Sequence, residues 1–280
     1  MPEGDAVRRT ARRLDAALAG QELTTADLRW PSVATAGRLL VGRATLEVGT
    51  CGKHLLHRLD GGLTLHTHLR MEGTWRVMAR DQAATALSRR HDVRALLGTR
   101  DSLAVGLRLG MVDVVRTRDE GRLVGHLGPD VLADDFDADI AVANLVRSGA
   151  PIAEALLDQR NLAGVGTIWA SEGLFAQRLP PWQPADPENT TAVVAAIRRL
   201  MTAAVSGRVE PRVHGRSGHP CPRCGATLRV AMDGPPTREG TIFYCPVCQG
   251  GLAPTDDGRP QAPLGARGGS RRGEVRRPRQ

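Results

Sequence analysis

Cys51-Gly52-Lys53-His54-Leu55-Leu56-His57-Arg58-Leu59-Asp60-Gly61-Gly62-Leu63-Thr64-Leu65-His66-Thr67-His68-Leu69 decides the fold class of this chain. Two leucine-rich runs, His54–Leu59 and Leu63–Leu69, flank Asp60-Gly61-Gly62. Asp-Gly suits the positive φ of a tight turn, so the stretch reads as a β-hairpin. Working outward, similar runs between glycine and aspartate recur at Ala44–Val48, Thr74–Met78, Ala104–Leu109 and Met111–Arg116. Many short strands at this spacing predict a β-sandwich or barrel-like sheet over residues 21–120. Ahead of it, Val7, Ala11, Leu14 and Leu18 repeat at helical spacing among Arg8, Arg9, Arg12 and Arg13. That pattern predicts a helix over 3–19, stopped by Gly20.

Beyond residue 120 the pattern changes. Residues 121–136 read as a connector, with Gly121, Gly125, Gly128-Pro129 and Asp134-Asp135. Helical periodicity then covers 137–148, 151–159, 167–177 and 188–206, most clearly at Val194, Ile197, Leu200, Met201, Ala204 and Val205. Between the second and third helices lies Leu162-Ala163-Gly164-Val165-Gly166. Such a turn either offers backbone N–H groups to an anion at a helix start or simply joins two helices. Cys221-x2-Cys224 and Cys245-x2-Cys248, separated by 20 residues, have the spacing of a four-cysteine zinc site. Four protein thiolates fill a tetrahedron, so one structural zinc ion is expected, holding a hairpin from about Thr227 to Tyr244. After Gly250 the chain is rich in Gly, Pro and Arg, which predicts a disordered basic tail. The expected organisation is an α+β multidomain chain with a β-sandwich domain at 1–120, a connector at 121–136, a helical domain at 137–213, a finger at 214–250 and a tail at 251–280.

The chain has 280 residues and a formal net charge of +8. That length accommodates two domains and a small module. The charge favours a polyanionic partner, nucleic acid first. Seven arginines against Asp256, Asp257 and Glu274 give residues 251–280 a charge of +4, so an equal excess lies in residues 1–250. Of the 38 basic residues, Lys53 alone is lysine. It marks either a site that needs a compact, titratable ammonium or the remnant of a bias toward arginine. No apolar leader and no membrane-length apolar run is visible, so a cytoplasmic, nucleoid-associated protein without membrane contact is expected. Cysteines in CxxC pairs fit a reducing compartment, and Cys51 reads as a small buried residue.

Five motifs occur in one order. They are Met1-Pro2-Glu3-Gly4-Asp5, Gly52-Lys53-His54-Leu55-Leu56, His68-Leu69-Arg70-Met71-Glu72-Gly73, Leu156-Leu157-Asp158-Gln159 through Glu172, and the four cysteines with Cys245-Pro246-x-Cys248-Gln249. Together they resemble the formamidopyrimidine-DNA glycosylase/endonuclease VIII family of base-excision repair enzymes, from residue 2 to about 250. The opening resembles the endonuclease VIII branch, especially its actinobacterial members.

The resemblance implies an N-terminal β-sandwich with one long helix, a helix–two-turn–helix domain and a zinc finger, with damaged DNA in the cleft between the two domains. It implies a monomer with one zinc ion and no small-molecule cofactor. The activity implied is a bifunctional glycosylase and abasic-site lyase that excises oxidised pyrimidines and cuts the strand by β,δ-elimination. With Met1 removed, the Pro2 amine would attack C1′, Glu3 would move protons, and Lys53 would reach the phosphate beside the lesion. His68 and Met71 would contact DNA and fill the gap left by the flipped base. Gly164, Gly166 and Thr167 would face backbone phosphate, with Arg238 the nearest candidate for the finger's arginine. The chemistry agrees, since an α-amine titrates near neutrality and a secondary amine gives a cationic iminium. Read without the resemblance, Pro2 is a helix N1 residue, Glu3 a first-turn acid, His68 a strand residue and Met71 a core methionine.

Three departures stand out. The family's turn carries asparagine where this chain has Thr167, which lacks the amide's reach. The family's finger arginine falls at Gly240. The purine-lesion branch's D-P-R-R-F-G segment is replaced by Val105-Gly106-Leu107-Arg108-Leu109-Gly110, which favours the endonuclease VIII branch. Rival readings are a damaged-DNA binder without catalysis and a purine-lesion (8-oxoguanine/formamidopyrimidine) glycosylase. A zinc-ribbon transcription factor explains the cysteines but neither the opening nor the lysine hairpin.

Overall fold

A computed structural model describes residues 2–81, 86–207, 209–233, 240–259 and 261. Helix α1, Gly4–Leu18, buries Val7, Ala11, Leu14 and Leu18 on one stripe, each at most 2% exposed. Burying a valine or leucine side chain contributes about 1.5–3 kcal/mol, so Val7, Leu14 and Leu18 fix α1 firmly. Its partner is a sandwich of two four-stranded antiparallel sheets. One sheet runs β1 (Thr25–Leu28), β6 (Val93–Gly98), β7 (Ser102–Leu107), β5 (Thr74–Ala79). The other runs β2 (Thr45–Cys51), β3 (His54–Leu59), β4 (Leu63–His68), β8 (Met111–Arg116). Leu55, Leu59, Leu65, Trp75, Ala95, Leu97 and Ala104 fill the core with α1.

The predicted hairpin is present, with Leu59 paired to Leu63 across Asp60-Gly61-Gly62. Two strands escaped the sequence reading. Thr25–Leu28 is only four residues long, and Val93–Gly98 carries no clean alternation. The strand expected to reach Leu109 stops at Leu107, because Arg108 turns left-handed (φ 48°).

The connector contains a short helix, α2 (Gly121–Val124), and leads into α3 (Ala138–Arg147), α4 (Ile152–Leu157), α5 (Thr167–Gln177) and α6 (Pro187–Ser206). Their shared core holds Leu145, Ile152, Leu156, Leu162, Trp169, Leu174, Val194, Ile197 and Met201. Asp137 and Asp186 cap α3 and α6 through the N–H groups of Ile140 and Asn189. The finger hairpin, β9 (Arg229–Asp233) with β10 (Gly240–Tyr244), docks through Ile242 into that core and through Phe243 against Phe175 and Val213.

The chain stays ordered past Gly250, unlike the disordered tail expected from that point. Asp256 pairs with Arg229 and accepts from Tyr244 Oη (2.6 Å). The Gln261 amide bonds both Val230 N and Val230 O (2.9 Å each). The remainder of the expected tail, 262–280, lies outside the described residues, as does Arg238. Among the described residues no helix is long and apolar enough to cross a membrane.

Candidate active site at the domain junction

Glu3 precedes α1 as its N-cap, with extended backbone (φ −103°, ψ 179°), yet its side chain does not cap that helix. The carboxylate crosses to the helical domain. Oε2 accepts from Gly166 N (2.9 Å) and Trp169 N (3.3 Å), and Oε1 from Ile168 N (2.8 Å). Glu3 therefore caps α5, where the N–H groups are unpaired and the helix dipole favours an anion. Glycine at 166 makes this possible, since a Cβ there would lie 2.5 Å from Glu3 Cδ. The carboxylate is 2% exposed. Burial pushes its pKa up and outweighs the opposing pull of the Ile168 N–H, the Lys53 charge and the Trp169 N–H.

Lys53 arrives from the other side of the same junction. Cys51 pairs with His54, so Gly52-Lys53 forms a two-residue hairpin turn. Gly52 takes φ 58°, as the first position of a II′ turn requires. Its N–H donates to Asp130 Oδ2 (2.9 Å), which seats the turn on the connector. Lys53 Nζ donates to Val165 O (2.7 Å) and the residue is 7% exposed. Burial pushes the ammonium's pKa down, opposed by the Glu3 charge. Glu3 and Lys53 thus share one buried environment that moves both toward neutrality.

The two-glycine turn is the platform for both. Gly164 O accepts from Gly4 N (2.9 Å). Gln159 locks the turn from within: its Oε1 accepts from Gly164 N (3.1 Å), while Nε2 donates to Val165 O (2.8 Å) and Leu157 O (3.0 Å). Trp169 Nε1 donates to Asp5 Oδ1 (2.8 Å), a second tie between α1 and α5. The sequence alone does not reveal the parts played by Asp130, Gln159, Asp5 and Trp169, because each depends on a partner that only the folded turn or the docked domains supply.

Half-buried Pro2 sits directly before Glu3. His68 is buried at the end of β4, with Nδ1 accepting from Arg70 N (2.9 Å). Met71 stands 68% exposed at the tip of the following turn, so it is no core methionine. Thr167 opens α5 beside the start of β10. A Cβ on Gly240 would lie 3.9 Å from Thr167 Cγ2 and 2.6 Å from Leu157 Cδ1. The two departures from the expected motif are therefore neighbours, and a side chain at 240 would have to displace the tip of Leu157. Cys51 is half-buried, and burial pushes its thiol up to about 11, which keeps it an inert thiol.

The four cysteine sulfurs of the finger lie within 4.8 Å of one another, with Cys224–Cys245 at 3.5 Å and Cys221–Cys248 at 4.0 Å. A tetrahedral zinc with bonds of about 2.3 Å would space its sulfurs by about 3.8 Å, so the donors fit that ion. Arg223 N and Cys248 N point at Cys221 Sγ and Cys245 Sγ (3.4 Å each), as thiolates in paired knuckles require. Gln249 links the finger to the helical domain, accepting from Cys245 N and donating to Leu179 O (2.9 Å each).

Comparison with known proteins gives concordant results. The family model described as formamidopyrimidine-DNA glycosylase N-terminal domain matches residues 1–116, and that described as formamidopyrimidine-DNA glycosylase H2TH domain matches 127–212. The chain is 45% identical to "Probable endonuclease 8 2" of Streptomyces coelicolor, covering 92% of this chain and 98% of that protein. It is 37% identical to "DNA-(apurinic or apyrimidinic site) lyase Nei2" of Mycolicibacterium smegmatis, over 89% of this chain and 99% of that one. The crystal structure of the MutM (Fpg) protein from Thermus thermophilus superposes with a TM-score of 0.74 at 31% identity, covering 90% of this chain and all of that one. With both large domains matched and full-length relatives on this scale, the chain belongs to the formamidopyrimidine-DNA glycosylase/endonuclease VIII family of DNA-repair glycosylases.

Proposed function

We propose that this chain is a bifunctional glycosylase and abasic-site lyase that excises oxidised pyrimidines and cuts the strand by β,δ-elimination. The observation that carries the reading is the buried junction in which Glu3, next to Pro2, is held by three N–H groups of α5 while Lys53 shares its surroundings. With Met1 removed, the Pro2 nitrogen attacks C1′ of the flipped nucleotide; the damaged base departs with its bonding electrons and takes up the proton that the Pro2 nitrogen sheds. A proton delivered by Glu3 to the sugar oxygen aids ring opening. The resulting Pro2 iminium withdraws electrons from C2′, so Glu3, now a carboxylate, can remove the C2′ proton. The 3′ phosphate leaves in the first elimination and the 5′ phosphate in the second. A carboxyl with raised pKa beside an amine with lowered pKa suits this exchange of protons at neutral pH.

Lys53 contacts the phosphate beside the lesion, and His68, Gly164, Gly166, Thr167 and Arg238 contact the backbone around it. Met71 is an exposed wedge for the vacated base stack. Residues 1–120 supply the catalytic groups, 137–213 the two-turn platform, and DNA lies in the cleft between them. Zinc, held by Cys221, Cys224, Cys245 and Cys248, shapes the finger and takes no part in the chemistry. Support for pyrimidine substrates comes from the relatives named endonuclease 8. Damaged DNA is the partner, met in the cytoplasm.

Borohydride trapping on a duplex with one abasic site tests the mechanism. A covalent adduct mapping to Pro2, and lost in Pro2→Gly, is the expected result. No adduct from zinc-loaded protein would leave a damaged-DNA binder. Comparing dihydrouracil, thymine glycol and 8-oxoguanine duplexes then separates pyrimidine from purine specificity.

A further inference from the structure

The sheet face that carries His68 holds a second set of titratable groups. His54 and His68 are direct register partners across β3 and β4, and His66 pairs with Asp113 across β4 and β8. His66 Nδ1 lies 3.0 Å from Asp113 Oδ2, and His66 Nε2 lies 2.8 Å from His54 Nδ1. The His54 and His66 rings stack at 5.0 Å, and the His54 and His68 rings meet edge to face at 4.8 Å. His66 is wholly buried, His54 is half-buried, and Asp113 is one-third exposed.

This geometry assigns the protons. A carboxylate only accepts, so His66 Nδ1 carries hydrogen and donates to Asp113. His66 Nε2 then accepts from His54 Nδ1–H, which leaves His54 Nε2 with a lone pair. His68 Nδ1 accepts from Arg70 N, so its Nε2 carries hydrogen. Among the described residues neither His54 Nε2 nor His68 Nε2 has a hydrogen-bond partner. Around His54 stand His66 and His68 on β4, Arg70 after it, and exposed His126 on the connector. Lys53 acts on His68, and Asp113 and Glu120 act on His66. Potential cations crowd this patch, and its acids sit at the far end of the chain of bonds.

We infer that Asp113, His66 and His54 form a proton relay that turns His54 Nε2 from an acceptor into a donor for a DNA phosphodiester beside His68. One solvent proton binds His54 Nε2. The Nδ1–H bond of His54 breaks as the proton passes to His66 Nε2. The positive charge then rests on His66 against the Asp113 carboxylate, which stays ionised, and His54 Nε2–H donates to a phosphate oxygen. No bond in the DNA changes. Free His54 is held at a pKa of about 3 by burial and its cationic neighbours, so uptake occurs in the complex and grows as pH falls below neutrality. The inference rests on the DNA-repair reading and adds a proton-linked phosphate contact to it.

Calorimetry on the full zinc-loaded chain tests it, with a duplex carrying a tetrahydrofuran abasic analogue, at fixed salt, in buffers of different ionisation heat from pH 5.5 to 7.5. The wild type is expected to take up more protons on binding than His54→Gln, and to gain up to about tenfold in affinity per pH unit that the variant lacks. Asp113→Asn, altered at the exposed end of the relay, is expected to lose the same uptake even if His54→Gln fails to fold. Equal uptake by the wild type and both folded variants overturns the relay. Abasic-site cleavage is measured on the same samples. Wild-type cleavage without uptake dependent on the relay sinks this inference alone, whereas a wild type that neither binds nor cleaves sinks the repair reading and the relay with it.

Discussion

Gly166→Ala adds one methyl group where Glu3 already stands. An ideal Cβ at 166 would lie 2.5 Å from Glu3 Cδ, 2.6 Å from Oε1 and 2.8 Å from Cγ. The backbone at 166 (φ −134°) is open to any residue, so the effect comes from contact and not from strain. Restoring an ordinary carbon–carbon contact of about 3.5 Å moves the carboxyl carbon by about 1 Å. The bonds from Gly166, Ile168 and Trp169, now 2.8–3.3 Å, cannot all survive that shift. A hydrogen bond to a charged group contributes about 1.5–3 kcal/mol. Losing one or two, less about 0.4–1 kcal/mol gained from a stiffer unfolded chain, predicts destabilisation of about 0.5–5.6 kcal/mol. Misplacing a reacting group by about 1 Å costs about 100-fold in rate. Urea unfolding reads the first quantity. Single-turnover cleavage of an abasic duplex reads the second, with DNA affinity as the control. If Gly166→Ala keeps full cleavage and stability, the carboxylate of Glu3 is not placed by the α5 N-terminus and the account of the site is wrong.

Lys53→Met tests the buried ammonium through pH. Because the folded pKa of Lys53 is lowered, the unfolded chain holds more protons between that value and the ordinary lysine value of about 10.4. Wild-type stability should therefore rise with pH across that window, and the variant should lose this slope while losing cleavage by about 100-fold or more. Metal analysis should find one zinc per chain, and a chelator strong enough to strip it should unfold the finger and weaken DNA binding. A finger that keeps its fold and affinity after verified zinc removal would contradict this. Tyr244→Phe removes the bond to Asp256 and the acceptor for Ala253 N, at a cost of about 1.5–3 kcal/mol in urea unfolding with cleavage unchanged. An unaltered unfolding curve would show that the segment after Gly250 contributes nothing to stability.

What was legible in the sequence is what short-range rules encode. The Asp60-Gly61-Gly62 hairpin, the apolar stripe of α1 and the paired CxxC spacing each need only a few neighbouring residues to be read. Glu3 illustrates the opposite case. Its partners Gly166, Ile168 and Trp169 lie more than 160 positions away, and only the docking of two domains makes it the cap of α5. The His54–His66–Asp113 chain depends on the register of three strands, which hydrophobic pattern leaves open. The segment after Gly250 read as disordered because its composition offers little apolar surface. It is held instead by the Arg229–Asp256 ion pair, the Tyr244 hydroxyl bonded to Asp256 and Ala253 N, and the Gln261 amide on Val230, which composition does not count.

Lys53 being the sole lysine makes this chain nearly silent to amine-directed reagents. Its Nζ is shielded and engaged on Val165 O while the two domains are docked, so an acylating or formaldehyde-type probe meets only the N-terminal amine. Label appearing at residue 53 then reports parting of the domains, with the N-terminal amine as the constant internal reference. The protein thus carries its own gauge of interdomain opening, readable by peptide mass without introducing any foreign group.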